Sequence, residues 1–334
     1  MKEFIVKVLD GEALSEPEAA QAMGIIMEGQ ATPAQIGAFL AGLRVRGETV
    51  DEIVGAARAM REKALKVPVR VDAIDTCGTG GDGAGTFNIS TVAAFVTAGA
   101  GVPVAKHGNR SVSSQCGSAD LLERLGINLE LTPEQAGRCV EEVGIGFLFA
   151  PLLHRAMKHA IGPRREIGAR TIFNLLGPLT NPAFVRRQVV GVYAASRVKD
   201  VALALQRLGV ERALVVHGDG MDEVALSGTT LVAEVNGASI QYYTVAPEDF
   251  GFRRVRRDEL LGGDADRNAQ IALQTLEGVP GPALDAVLLN AGAAIWVGGG
   301  ANSWKEGIEV AWESIASGRA RQKVEQLRHF TRSC

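Results

Sequence analysis

The chain has 334 residues, of which 46% are hydrophobic and 22% charged, with a formal net charge of -3. That is enough apolar material for a large core, and the length suggests about two domains. A balance this close to neutral leaves no bulk basic footprint for nucleic acid. Met1 to Asp10 has no apolar run behind a basic start, so no signal peptide is expected. The longest apolar stretch, 89–105, contains Ser90, Thr91, Thr97, Gly99, Gly101 and Pro103. It fits a buried helix followed by a strand better than a membrane span. The 4 cysteines show no C-x-x-C pairing, which suits reduced thiols in the cytoplasm.

Up to about residue 65 the signals are helical only. Ser15 and Glu18 have capping-box spacing, in which the hydroxyl takes one orphan N–H and the carboxylate another. Thr32-Pro33 combines an N-cap with proline at the first helical position. Ile36, Phe39, Leu40 and Leu43 then recur on one helical face. Thr49 and Glu52 repeat the capping spacing.

From Val71 short β-branched runs alternate with helical patterns, as in α/β folds. The strand candidates are Ala73–Thr76, Val102–Ala105, Gly146–Ala150, Gln188–Tyr193, Ala213–His217, Leu231–Val235 and Gln241–Val245. Helices are expected near Ile89–Ala100, Ala119–Leu125, Pro133–Val143, Asp200–Leu208, Asn268–Glu277, Ala283–Gly298 and Trp304–Ala316. Ser303 and Glu306 give the last of these a capping-box spacing. Gly and Pro punctuation between 160 and 187 suggests a second helical excursion. The expected division is a helical domain over 1–69 plus roughly 160–186, and an α/β domain over 70–159 plus 187–334.

Four segments carry chemistry. The first is Asp75-Thr76-Cys77-Gly78-Thr79-Gly80-Gly81-Asp82-Gly83, between a strand and a helix. Closely spaced glycines let backbone N–H groups approach a polyanion, and a helix N-terminus adds positive potential. Gly78, Gly80 and Gly83 satisfy G-x-G-x-x-G, but no Asp or Glu occurs from Gly83 to Gln115 to bind a ribose. No G-K-[ST] ending is present, which argues against a Walker loop. The alternative to a phosphate cradle is a flexible turn.

The second is Lys106-His107-Gly108-Asn109-Arg110-Ser111, just beyond a strand, where α/β sheets place ligand crevices. Lys106 is a mobile cation suited to phosphate, and Asn109 can donate and accept hydrogen bonds. The third is the Asp222-Glu223 pair, hard oxygen ligands of the kind that share magnesium with substrate phosphates. The fourth is Pro163-Arg164-Arg165-Glu166 followed by Phe173 to Pro182, where an arginine could hold a carboxylate by paired hydrogen bonds. His107 and His154 are candidate polar contacts. Each of these features alone also fits a solvated loop, a surface charge or a structural histidine.

Taken in order, the set resembles the anthranilate phosphoribosyltransferases of the tryptophan branch. The resemblance rests on Gly78-Thr79-Gly80-Gly81-Asp82, Asn88-Ile89-Ser90-Thr91, Lys106-His107-Gly108-Asn109-Arg110 and Gly117-Ser118-Ala119-Asp120. It continues through Asn174-Leu175-Leu176-Gly177-Pro178-Leu179-Thr180-Asn181-Pro182 and Asp219-Gly220-Met221-Asp222-Glu223. It covers essentially the whole chain, with small departures at Ser111 and at Gln115-Cys116.

The resemblance implies an α/β fold with a smaller all-α domain, its central mixed sheet flanked by helices, like nucleoside phosphorylases. It also implies a homodimer through the helical domain, and no membrane or nucleic-acid partner. It implies transfer of phosphoribosyl from 5-phosphoribosyl 1-pyrophosphate to the anthranilate amine. Gly78, Thr79, Gly80, Gly81, Asp82, Thr86, Asn88, Ser90, Thr91, Lys106 and Ser118 would hold the donor. Gly78, His107, Asn109, His154, Arg164 and Pro178 would line the anthranilate path. Ser90, Asp222 and Glu223 would hold Mg2+, and Lys106 and Arg164 would be catalytic. Two other readings stay open: a nucleoside phosphorylase of the same fold, and a nucleic-acid-binding relative with a degraded donor site.

Overall fold

A computed structural model of the protein describes residues 1–111 and 115–334. The chain begins with four helices, α1 (Lys2–Leu9), α2 (Glu16–Met27), α3 (Pro33–Arg46) and α4 (Val50–Lys63). Their starts are set by short polar side chains. Thr32 Oγ1 accepts from the Gln35 amide at 3.2 Å, and Thr49 Oγ1 accepts from the Glu52 amide at 3.3 Å. Gln35 and Glu52 reach back to the amides of Thr32 and Thr49, completing both boxes. At Ser15 only half of the expected box forms. Glu18 accepts from the Ser15 amide at 2.8 Å, while the Ser15 hydroxyl donates to the same carboxylate instead of accepting an N–H.

The α/β part contains β1 (Ile74–Gly78), α5 (Ile89–Gly99), β2 (Val104–Gly108), α6 (Ser118–Arg124), α7 (Pro133–Arg138) and β3 (Ile145–Phe149). A π-helical turn, Cys139–Val143, continues α7, so the single helix expected over 133–143 changes pitch midway. Next come α8 (Ala150–Leu153), α9 (Lys158–Ile167), α10 (Ile172–Leu179), β4 (Arg187–Gly191), α11 (Val198–Arg207) and β5 (Arg212–Gly218). The chain closes with β6 (Thr230–Asn236), β7 (Ser239–Val245), α12 (Ala265–Leu276), α13 (Pro282–Gly298), α14 (Trp304–Ala316) and α15 (Arg319–Arg332). Each of the seven expected strands is present, with ends shifted by up to three residues. At α14, Ser303 caps as expected, but Glu306 reaches back to Asn302 rather than to Ser303.

The sheet order is β3-β2-β1-β4-β5-β6-β7. The first five strands run parallel and the last two antiparallel, a mixed sheet. Alternation along the strands divides two cores. Val189, Leu214, Val216 and Val232 face one core together with α5 and α13. Val190, Val192, Ala213, Val215, Ala233 and Val235 face the other, with α11 and the N-terminal helices. Ala160 of α9 and Ile172, Leu175, Leu176 and Leu179 of α10 also bury in this second core. No helix among the described residues is long and apolar enough to cross a membrane.

The strand order reverses direction between β1 and β4, where Gly78 lies opposite Gly191. At such a switch point the connections leave in opposite directions and open a crevice beyond the carboxyl ends of the strands. The first two motif segments and the acidic pair follow the ends of β1, β2 and β5, so all three lie on that rim.

Candidate active site

The glycine loop and the acidic pair are built against each other. Gly80 donates its amide to Asp222 Oδ2 at 2.6 Å, and the Asp222 amide donates to Asp82 Oδ2 at 3.2 Å. The Thr79 amide bonds the Gly191 carbonyl at 2.9 Å, and Thr79 Oγ1 accepts from the Tyr193 amide at 3.0 Å. Gly80 and Gly81 take φ of 65° and 72°, which a side chain would resist. A Cβ on Gly78 would strike the Asp222 carboxylate, and one on Gly191 the Asp222 backbone. Neither strand end can therefore carry a side chain while the acidic loop lies this close.

Behind the loop, the Ser90 amide at the start of α5 donates to Glu223 Oε1 at 3.2 Å. Lys106 Nζ approaches Ser90 Oγ at 3.4 Å and also donates to the Thr76 carbonyl. Lys106 is 3% exposed, so it is not the mobile cation expected from the sequence. Its ammonium is held inside the site, between β1 and the start of α5. Asp75, read in the sequence only as the first letter of the glycine motif, is a buried hub. Its carboxylate accepts from the His107 amide at 3.1 Å and from Asn181 Nδ2 at 2.7 Å. Burial pushes the Asp75 carboxyl up to about 6, against the pull of Lys106 and these donors.

The residues expected to line the acceptor path gather around α10. His107 Nδ1 lies 3.1 Å from the Gly177 carbonyl, and the Arg164 guanidinium lies 4.8 Å from the centre of the Phe173 ring. Phe173 and Gly177 are one helical turn apart, so α10 sets the spacing of these two groups. Arg164 is half-buried, burial lowers its pKa, and it has no carboxylate partner among the described residues. The rings of His107 and His154 are 5.1 Å apart, and both Nε2 atoms are buried without partners. Pro178 is buried within α10, its carbonyl accepting from Gln188 Nε2 at 2.9 Å.

Burial lowers His107 to about 3 and His154 to about 4. Both rings are therefore neutral when folded, while the unfolded chain takes up protons below the ordinary value of 6.5. Their folded state is favoured above that value and loses stability as pH falls towards 3 or 4. Within the window each histidine costs about 1.4 kcal/mol per pH unit. Melting temperature should fall on acidification from pH 7 to 5, and His154→Gln should flatten that slope. An unchanged slope in the variant would contradict the burial argument.

Of the remaining donor candidates, Asn88 lies at the N-cap of α5, with Nδ2 donating to the Cys116 carbonyl at 3.1 Å and Oδ1 buried without a partner. Thr91 is buried in the first turn of α5. Ser118 Oγ donates to the Asn109 carbonyl at 3.2 Å, which joins the second loop to α6. Thr86 stands apart, its backbone bridging Leu261.

Asp222, Glu223 and Asp82 crowd three carboxylates around the loop, with Lys106 as the compensating charge. Both members of the pair are pushed towards neutrality, by burial first and then by like charge: Asp82 on Asp222, and Asp222 on Glu223. Among the described residues no three His, Cys, Asp or Glu side chains are grouped to enclose a metal. Crowded hard oxygens that do not close a cage fit magnesium, which keeps several positions for water and substrate phosphate.

The helical bundle domain of a glycosyl transferase family matches residues 2–64, and the a/b domain of that family matches residues 70–321. The anthranilate phosphoribosyltransferase of Symbiobacterium thermophilum is 54% identical, over 99% of this chain and 98% of its own. The chain belongs to the anthranilate phosphoribosyltransferase family. The crystal structure of an anthranilate phosphoribosyltransferase from Thermus thermophilus superposes with a TM-score of 0.94 at 46% identity, covering 98% of this chain and 99% of that one. The anthranilate phosphoribosyltransferase of Saccharomyces cerevisiae, solved in complex with PRPP and Mg, gives 0.91 at 29% identity, covering 100% and 98%. The same yeast anthranilate phosphoribosyltransferase has also been solved with 4-fluoroanthranilate, at a TM-score of 0.89 and 28% identity, covering 99% and 98%.

Proposed function

We propose that the protein transfers the phosphoribosyl group of 5-phosphoribosyl 1-pyrophosphate (PRPP) to the amine of anthranilate, releasing pyrophosphate and forming N-(5-phosphoribosyl)anthranilate. The observation that carries this reading is the glycine loop locked onto Asp222, with Arg164 stacked on Phe173, next in the chain to Asn174 whose amide faces Gly81, and without an ion-pair partner among the described residues. The first suits a metal-bound polyphosphate and the second a carboxylate.

The donor would sit on the loop amides of Gly78–Gly81, with Asp82, Asn88, Ser90, Thr91 and Ser118 fixing its oxygens and Thr86 at the rim. Ser90, Asp222 and Glu223 would hold Mg2+, which when bound neutralises negative charge on the leaving pyrophosphate. Lys106 adds a buried positive charge beside the same group, where low dielectric strengthens it. Arg164 would orient anthranilate through its carboxylate, with His107, Asn109, His154, Gly78 and Pro178 along its path. Anthranilate is a weak aromatic amine, so holding it close to the ribose carbon replaces a bimolecular encounter. The neutral Nε2 atoms of His107 and His154 offer acceptors and no competing charge.

We further infer a homodimer through the helical unit, comprising 1–69 and about 160–186. Val6, Leu9 and Val45 on α1 and α3 are 56%, 63% and 89% exposed, an apolar face that suits a second copy. The thiols, none of them in a disulfide among the described residues, are consistent with a cytoplasmic location.

The test is anthranilate fluorescence. It should fall only when protein, PRPP and magnesium are all present, with pyrophosphate released in step. Folded protein that gives no fall with fresh donor would overturn the reading.

A further inference from the structure

Arg170 has no place in the site described above. It stands between α9 and α10, immediately before Thr171 at the N-cap of α10. Its guanidinium lies over the Tyr193 ring, 4.7 Å from the centroid, with no ion pair or hydrogen bond among the described residues. Tyr193 is itself tied to the glycine loop, since its amide donates to Thr79 Oγ1 at 3.0 Å. The platform under Arg170 is therefore anchored to the loop.

The side chains around Arg170 point the same way. A Cβ on Gly81 would lie 3.8 Å from Arg170 Nε and 3.6 Å from Asn174 Nδ2. Asn174 Oδ1 accepts from the Thr171 amide at 3.0 Å, which turns its Nδ2 donors outwards to Gly81. Thr171 is 2% exposed and its Oγ1 has no partner. A guanidinium and an amide thus converge opposite one glycine, at the positive end of α10, where the unsatisfied Thr171 hydroxyl also lies. The adjacent carboxylate, Asp82, is engaged elsewhere, accepting from the amides of Ala84 and Asp222 at 3.1 and 3.2 Å.

We propose that Arg170, with Thr171 and Asn174, is the second half of the donor-phosphate seat, gripping from the helical side a phosphate oxygen held by the glycine loop on the other. The proposal rests on the transferase reading. Two arginines then serve two anions from two aromatic platforms. Arg164 lies on Phe173 for the acceptor carboxylate, and Arg170 lies on Tyr193 for the donor. Phe173 and Asn174 are consecutive on α10 and so project about 100° apart, which keeps the two seats separate.

The experiment compares wild-type protein, Arg170→Ala and Arg170→Lys by steady-state kinetics in both substrates. It also measures calorimetric binding of PRPP with magnesium and no anthranilate. Arg170→Ala should raise the KM for PRPP, and weaken its binding, by about tenfold or more, as for loss of a charge-assisted hydrogen bond. The KM for anthranilate should stay within about twofold, and the lysine variant should recover part of the loss. A rise confined to anthranilate, or no change in either, overturns the proposal. Should Arg170→Ala fold poorly, Thr171→Val empties the same seat of its hydroxyl at nearly constant volume. Unchanged PRPP binding there overturns the proposal as well. Wild-type protein that binds PRPP but consumes no anthranilate sinks the transferase reading and leaves the binding comparison decisive. Wild-type protein that binds no PRPP overturns both.

Discussion

Replacing Asp222 with Asn and Glu223 with Gln together should lower magnesium-dependent turnover by about a thousandfold, the scale of losing charge stabilisation on a leaving group. The two amides keep the size and shape of the carboxylates. Their carbonyl oxygens can still accept from Gly80 and Ser90, which now donate at 2.6 and 3.2 Å. The loop should therefore stay in place while both carboxylate ligands for the metal disappear. Because Asp82 already crowds Asp222, melting temperature should hold or rise. Activity lost without stability lost is the signature of ligand removal rather than of a damaged core. Turnover that keeps the wild-type magnesium dependence would remove the pair from the metal site.

Arg164→Ala should raise the KM for anthranilate by roughly a hundredfold, the upper range for one lost charge-assisted pair. The guanidinium is half-buried on Phe173 with no carboxylate partner among the described residues, a charge kept partly out of water without compensation from them. An incoming carboxylate supplies that compensation. Arg164→Lys should restore only part of the affinity, because an ammonium cannot make two parallel hydrogen bonds or stack on the ring. The KM for PRPP should change little. Equal effects on both substrates would take Arg164 out of the acceptor seat.

Much of the frame was legible in the chain. The β-branched runs from Ala73 to Val245 became seven strands, and Thr32, Thr49 and Ser303 capped the helices they announce. Helix α15 was not legible because charge dominates its composition. Its apolar stripe, Ala320, Val324, Leu327 and buried Thr331, was the available signal. Gly191 was not legible because a lone glycine at a strand end looks like any other until a second loop crosses it. Arg170 was not legible because neither it nor Tyr193 lies in a motif, and they meet only through the fold.

By itself the sequence determined the local choices, namely strand and helix periods, caps, and the order of glycine, basic and acidic motifs along the chain. These depend on neighbours a few residues away. Tertiary structure decided which groups lose their water and which meet. The switch between β1 and β4 put Gly78 beside Asp222, 144 residues apart in number, and Asp75 against Asn181 across 106. It turned Lys106 from a solvated loop cation into a buried charge and made His107 and His154 neutral. Burial and electrostatic neighbourhood arise from segments far apart in the chain, so no local pattern encodes them.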